Sequence, residues 1–140
     1  MDSLFKEYSG AFEEKEEIKE PKKENFFGFN PFPLQDALGE KSAKKVWVEF
    51  ERLRSEGIEA EELIHKIISK VRDMAMISLG AKAEDLVMKD FPFNKSKSHT
   101  KNWKIEELKN LYTSLVTIYH EARMGKEDLD IALEKVLLKL

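Results

Sequence analysis

Ala60-Glu-Glu-Leu-Ile-His-Lys-Ile-Ile-Ser-Lys-Val-Arg-Asp-Met-Ala-Met-Ile-Ser-Leu79 decides the fold class of this chain. Leu63, Ile64, Ile67, Ile68, Val71, Met74 and Ala75 recur every three or four residues, which places them on one face of a long helix. Glu61 and Glu62 stand in its first turn, where negative charge meets the positive end of the helix dipole, and Gly80 stops it. A helix with one apolar stripe owes its stability to packing against other helices, so the rest of the chain must supply them.

Toward the N-terminus, Ser42 is the expected N-cap of a helix carrying Val46, Trp47, Phe50 and Leu53 on one face. Gly57 ends that helix, with Ile58 as the apolar residue that accompanies such a cap. Before it, Phe32-Pro-Leu-Gln-Asp-Ala-Leu-Gly39 reads as a short helix with Leu34, Ala37 and Leu38 inward. Pro33 is tolerated in a first turn, and Gly39 is expected to take the left-handed conformation that closes it. So short a helix must dock, and Leu34 and Leu38 are expected to hold it on the first two long helices.

Toward the C-terminus, residues 83–88 suggest one or two helical turns, Phe91-Pro92-Phe93 a rigid joint, and residues 94–102 a polar, basic loop. A third long helix spans about residues 105–123 with a broad apolar face that includes Leu108, Leu111, Tyr112, Leu115, Val116 and Tyr119. Glu106 and Glu107 lie in its first turn. Gly125 breaks the chain, and Asp128 or Asp130 caps a last helix that runs to the C-terminus. No segment alternates with the period of a strand. The expectation is an all-α, antiparallel bundle of about five to six helices over residues 31–140.

The leader, residues 1–30, is acidic and is expected to be flexible and partly disordered. Leu4, Phe5, Tyr8 and Phe12 have helical spacing, and residues 13–24 are nearly all Glu and Lys. Phe26-Phe27-Gly28-Phe29 is too aromatic for a free linker and reads as an apolar clip or a partner-binding peptide. A formal charge of −3 gives no global basic field for nucleic acid or anionic lipid. The absence of cysteine excludes disulfides and thiolate metal sites. No apolar run approaches the roughly 20 residues that cross a bilayer, and a cytoplasmic location is expected.

Chemistry-bearing motifs are sparse. Neither phosphate-binding glycine pattern is present, and His65, His99 and His120 show no metal-ligand spacing. The expectation is a protein without catalytic residues, metal, cofactor or small-molecule substrate. Lys95, Lys97, His99, Lys101, Trp103 and Lys104 combine positive charge with an aromatic ring and could meet phosphates. The plainer reading is a solvated loop with Trp103 packed inward, and Trp47 and Trp103 are expected as core anchors. In the last helix Leu129, Ala132, Leu133, Val136, Leu137 and Leu140 form one face, with Ile131 and Leu138 off it. A helix apolar on nearly all sides is either central to a bundle or covered by another subunit. Ile131, Leu138 and Leu140 are therefore candidate interface residues.

These segments, in this order, resemble the C-terminal domain of the delta subunit of bacterial DNA polymerase III. Phe32, Leu34, Asp36, Ala37, Leu38 and Gly39 match its opening pattern of an aromatic, a leucine, then Asp-Ala-hydrophobic-Gly. The similarity continues through Leu53-Arg-Ser-Glu-Gly57, the stretch from Leu63 to Met76, Pro92-Phe93-Asn94-Lys95 and the start of a helix at Trp103. It ends in an Asp-containing turn followed by Ala132-Leu133-Glu134 and a leucine-rich close. The resemblance covers about residues 30–140. It implies a non-catalytic helical collar that joins clamp-loader subunits into a ring, for placing the sliding clamp on primed DNA. Two departures stand out. The family carries two further domains where this chain has the leader, so the expectation is an excised domain or a short relative, and clamp binding does not transfer. Lys104 replaces the family's Ser or Thr cap, so that helix start is expected to fray or to borrow Asn102. The alternative is a small helical protein that binds nucleic acid through residues 95–104.

Overall fold

The computed structural model describes residues 28–140, and it is all-helical among them. The helices are α1 (Phe32–Gly39), α2 (Ala43–Ser55), α3 (Ala60–Ser78), α4 (Ala83–Leu86), α5 (Asp90–His99), α6 (Ile105–Arg123) and α7 (Leu129–Leu137), with a 3₁₀ turn at Thr100–Asn102. Readings that fall on residues 1–27, including Phe26 and Phe27 of the aromatic clip, lie outside the described residues.

The helix at the centre is α3, which packs on α1, α5, α6 and α7. The sequence left that place open to α7, which packs on α2, α3 and α6. The expected stripe is the core: Leu63, Ile64, Ile67, Val71 and Met74 are all fully buried, with Ile68 and Ala75 at its half-buried margins. Phe50 and Leu53 of α2, Leu108 and Leu115 of α6, and Leu133 and Leu137 of α7 are buried as well. Leu34 and Leu38 are fully buried too, and α1 packs on α2 and α3 as expected. Trp47 is only half-buried. The face of α6 is narrower than its composition suggested, since Tyr112 and Val116 reach solvent.

Local capping follows the chain closely. Ser42 Oγ accepts from the Lys45 N–H at 3.2 Å, which fixes the start of α2. At its end Gly57 has φ +95°, with Ile58 N–H bonded to Leu53 O and Gly57 N–H to Arg54 O, so two orphan carbonyls are satisfied. Asp128, rather than Asp130, caps α7, accepting from Ile131 N–H. That helix ends at Leu137, short of the C-terminus.

Three local expectations are corrected. Gly39 is not left-handed; Lys41 takes that role with φ +58°, in the same two-bond closure that uses Ala37 O and Leu38 O. Glycine is needed at position 39 for space, because a Cβ there would collide with the imidazole of His99. The start of α6 does not borrow Asn102: Glu107 Oε1 accepts the Lys104 N–H at 2.9 Å, one half of a capping box, while Asn102 donates to Gly39 O. The stretch read as a joint and loop is helix α5, a seventh helix beyond the five or six expected. Pro92 sits in its first turn, where no N–H is required, and the first bond runs from Phe93 N–H to Lys89 O. Its only buried side chain is Ser96, so no apolar period announces it.

The contact between Gly39 and His99 yields a direct test. Gly39→Ala is expected to lose about 1–3 kcal/mol in urea unfolding from overpacking, despite alanine's better helix propensity. In a His99→Ala background most of that loss should disappear, because the double variant removes the colliding ring.

Candidate functional site

The C-terminal helix carries the candidate interface. Ala132, Leu133 and Leu137 of α7 are buried, while Ile131 and Leu138 are 52% and 56% exposed. These two are seven residues apart, so they stand on one side of the helix, with exposed Lys135 between them. Leu140 is half-buried and joins Val136, Trp103 and Leu111 along a groove of about 510 Å³. On α6, Tyr112 and Val116 are four residues apart and add a second partly exposed apolar strip.

The α2–α7 contact behind this helix is acidic. Arg54 donates to Asp130 at 2.9 Å, while Glu51 Oε2 and Asp130 Oδ1 are buried without a hydrogen-bond partner among the described residues. A hydrogen bond with Glu51 holds the Glu134 carboxyl above its ordinary pKa; burial and the charges of Glu51 and Asp130 add to this, and Arg54 opposes it.

The basic residues 95–104 do not form one surface. Lys95 is ion-paired to Asp36 at 2.7 Å and lies 5.8 Å from the centre of the Phe91 ring. His99 packs over Gly39 and Trp103 is buried, its indole N–H donating to Leu38 O at 3.0 Å. Lys41 lies 5.1 Å over the Trp103 ring and pairs with Glu107 at 2.7 Å. Lys97, Lys101 and Lys104 remain exposed. Of the other histidines, His65 is exposed and edge-on to Tyr119 at 4.9 Å, and His120 is exposed. Among the described residues no group of three or more His, Asp or Glu side chains is arranged to hold a metal. Nor is any described helix long and apolar enough to cross a membrane.

One cluster escaped the sequence. Lys70 is 7% exposed, and its amine lies 2.9 Å from Ser96 Oγ and 3.0 Å from His99 Nδ1. Burial pulls its pKa down to about 8; Lys95 contributes in the same direction, while Asp36 and Asp73 oppose it. Burial also lowers the His99 pKa, and the charge of Lys70 adds to that. A signal existed: Leu63, Ile67, Lys70, Met74 and Ile77 are spaced by four, three, four and three, which puts Lys70 on the buried face.

Compared with known protein families, curated proteins and solved structures, the chain matches none.

Two pH dependences follow from these groups. The folded pKa of Lys70 is lowered, so the cost of its charge is present below pH 8 and is relieved as pH rises toward 10.5. Relative to Lys70→Met, the parent should gain about 1–2 kcal/mol across that window once solvent screening is allowed for, read from urea midpoints at each pH. The folded pKa of Glu134 is raised, so its contribution is present below the ordinary value of 4.5 and lost as pH rises through the folded value. Glu134→Gln, whose amide can donate to Glu51 without carrying charge, should melt higher than the parent at pH 7 and lose that advantage at pH 4.

Proposed function

We propose that this chain is a non-catalytic, cytoplasmic assembly module of the collar type, one that holds subunits of a clamp loader in a ring during DNA replication. The supporting observation is the outward side of α7. Ile131 and Leu138 present apolar surface to water on a helix whose opposite side is already in the core. Apolar surface left in water forgoes roughly 25 cal/mol per Å², so a partner helix laid along this side gains what the isolated bundle cannot. Exposed Leu and Ile near a groove that holds Leu140 suit a neighbouring helix better than a polar ligand. The link to the delta subunit of bacterial DNA polymerase III rests on the resemblance of residues 30–140 and on the helical fold. Within this reading the partners are other clamp-loader subunits, and no cofactor or small-molecule substrate is involved.

Co-purification with the remaining clamp-loader subunits tests the proposal, with Ile131→Lys/Leu138→Lys as the comparison. The parent is expected to co-purify, and the double variant to be lost from the complex while its helical circular dichroism and melting midpoint stay near the parent's. A parent chain that fails to assemble would sink the collar reading, and a variant that assembles as well as the parent would exclude this side of α7. Tight DNA binding at low salt that Lys97→Ala/Lys101→Ala/Lys104→Ala abolishes would instead favour the nucleic-acid reading.

A further inference from the structure

Between α1, α3 and α5 lies a groove of about 460 Å³. Met88, Phe91 and Pro92 line it with apolar surface, and Phe91 is 77% exposed. Lys70 and Ser96, both nearly buried, also line it. Among the described residues no carboxylate touches the Lys70 amine: Asp36 accepts from Lys95 at 2.7 Å, and Asp73 from Arg72 at 3.2 Å. Its two neighbours, Ser96 Oγ and His99 Nδ1, are uncharged groups that can each accept one N–H. A neutral amine has two N–H bonds for these two acceptors and keeps its lone pair free. The ammonium form has a third N–H, for which the described residues offer no hydrogen-bond acceptor.

We propose that Lys70 is a carbonyl-reactive amine and that the groove admits a small apolar aldehyde to it. The nitrogen lone pair attacks the carbonyl carbon, and the C–O π electrons move to oxygen. One N–H proton passes to that oxygen, giving the carbinolamine. The hydroxyl leaves as water with the second N–H proton, and the nitrogen pair forms the C=N bond. Amine and aldehyde thus become imine and water, with no oxidant or reductant. His99, 3.0 Å from the amine and biased to its neutral form by burial, is placed to carry the proton.

Desolvation is a known route to a nucleophilic lysine, because it penalises the ammonium form. The charged groups that act on Lys70 are Asp36 of α1, Asp73 of α3 and Lys95 of α5, and the titratable neighbour is His99 of α5. With a pKa of about 8, its neutral fraction at pH 7.5 exceeds that of an ordinary lysine on the order of a hundredfold. Lower basicity and restricted access reduce that advantage without erasing it.

The experiment is reductive capture on the full chain with benzaldehyde and cyanoborohydride at pH 7.5, followed by peptide mass mapping. Benzyl capture at Lys70 should saturate with aldehyde concentration and run at least roughly tenfold faster than at exposed Lys97 and Lys101. The peptide map separates capture at Lys70 from capture at the chain's α-amino group, a class of amine whose ordinary pKa is about 8. Phe91→Ala removes part of the apolar wall at an exposed position and should lower capture at Lys70 while leaving Lys97 unchanged. Lys70→Arg should abolish the fast, saturable phase. Capture at Lys70 no faster than at Lys97, or capture that does not saturate and ignores Phe91→Ala, would overturn the proposal. Phe91 lies outside the core, so this arm stands even where Lys70→Arg perturbs folding.

Discussion

The bundle depends on how the carbonyl groups at the buried end of α1 find donors. Leu38 and Gly39 are buried, so their orphan carbonyls cannot rely on bulk water. Ala37 O accepts from Ser42 N–H, the residue that then caps α2. Leu38 O takes both the Lys41 N–H and the indole N–H of Trp103, and Gly39 O takes the Asn102 amide. These bonds pull a segment some sixty residues downstream onto the end of α1. They set where α6 begins, and they bring His99 so close that position 39 can carry no side chain. One helix terminus thus orders α1, α2, the 3₁₀ turn and α6 together.

The apolar core and the polar cross-braces do different work. Burial of Phe50, Leu63, Ile67, Leu108, Leu115 and Leu133 supplies the bulk of the driving force. The ion pairs that cross between helices, Lys95–Asp36, Arg54–Asp130 and Arg123–Glu61, are all partly exposed and are each worth about 0–1 kcal/mol. Lys70 is different, since its amine has left water without gaining a direct carboxylate partner among the described residues. The fold gives up stability there, and at Lys41, which holds a left-handed backbone that glycine would adopt without strain. Lys41 recovers part of that cost through Glu107 and the face of Trp103.

The long helices were legible because each has one apolar face with the helical period. The cap at Ser42 and the closure at Gly57 were legible for a related reason: both use bonds within six residues of chain. The exposure of two apolar residues on α7 was legible in the same way. Ile131 and Leu138 fall off the apolar stripe of α7 by periodicity alone, and they are exposed. What stayed hidden is α5. Its inward side meets the rest of the bundle through Ser96 and His99, so it carries the composition of a loop while being held as a helix. The pairing within the basic cluster was hidden for the same reason, since charge counted along the chain does not show that Lys95 pairs with Asp36, fifty-nine residues away.

By itself the sequence determined the all-helical class, the three long helices, the caps that read their own neighbours and the apolar excess of α7. These are consequences of local spacing, because side chains three and four residues apart share a helix face whatever surrounds them. Tertiary structure alone decided that α3 is central, that α5 is a helix, that Gly39 is a contact rather than a turn, and that Lys70 sits among neutral partners. Each of those depends on groups brought together from distant parts of the chain, and desolvation acts only once they have met.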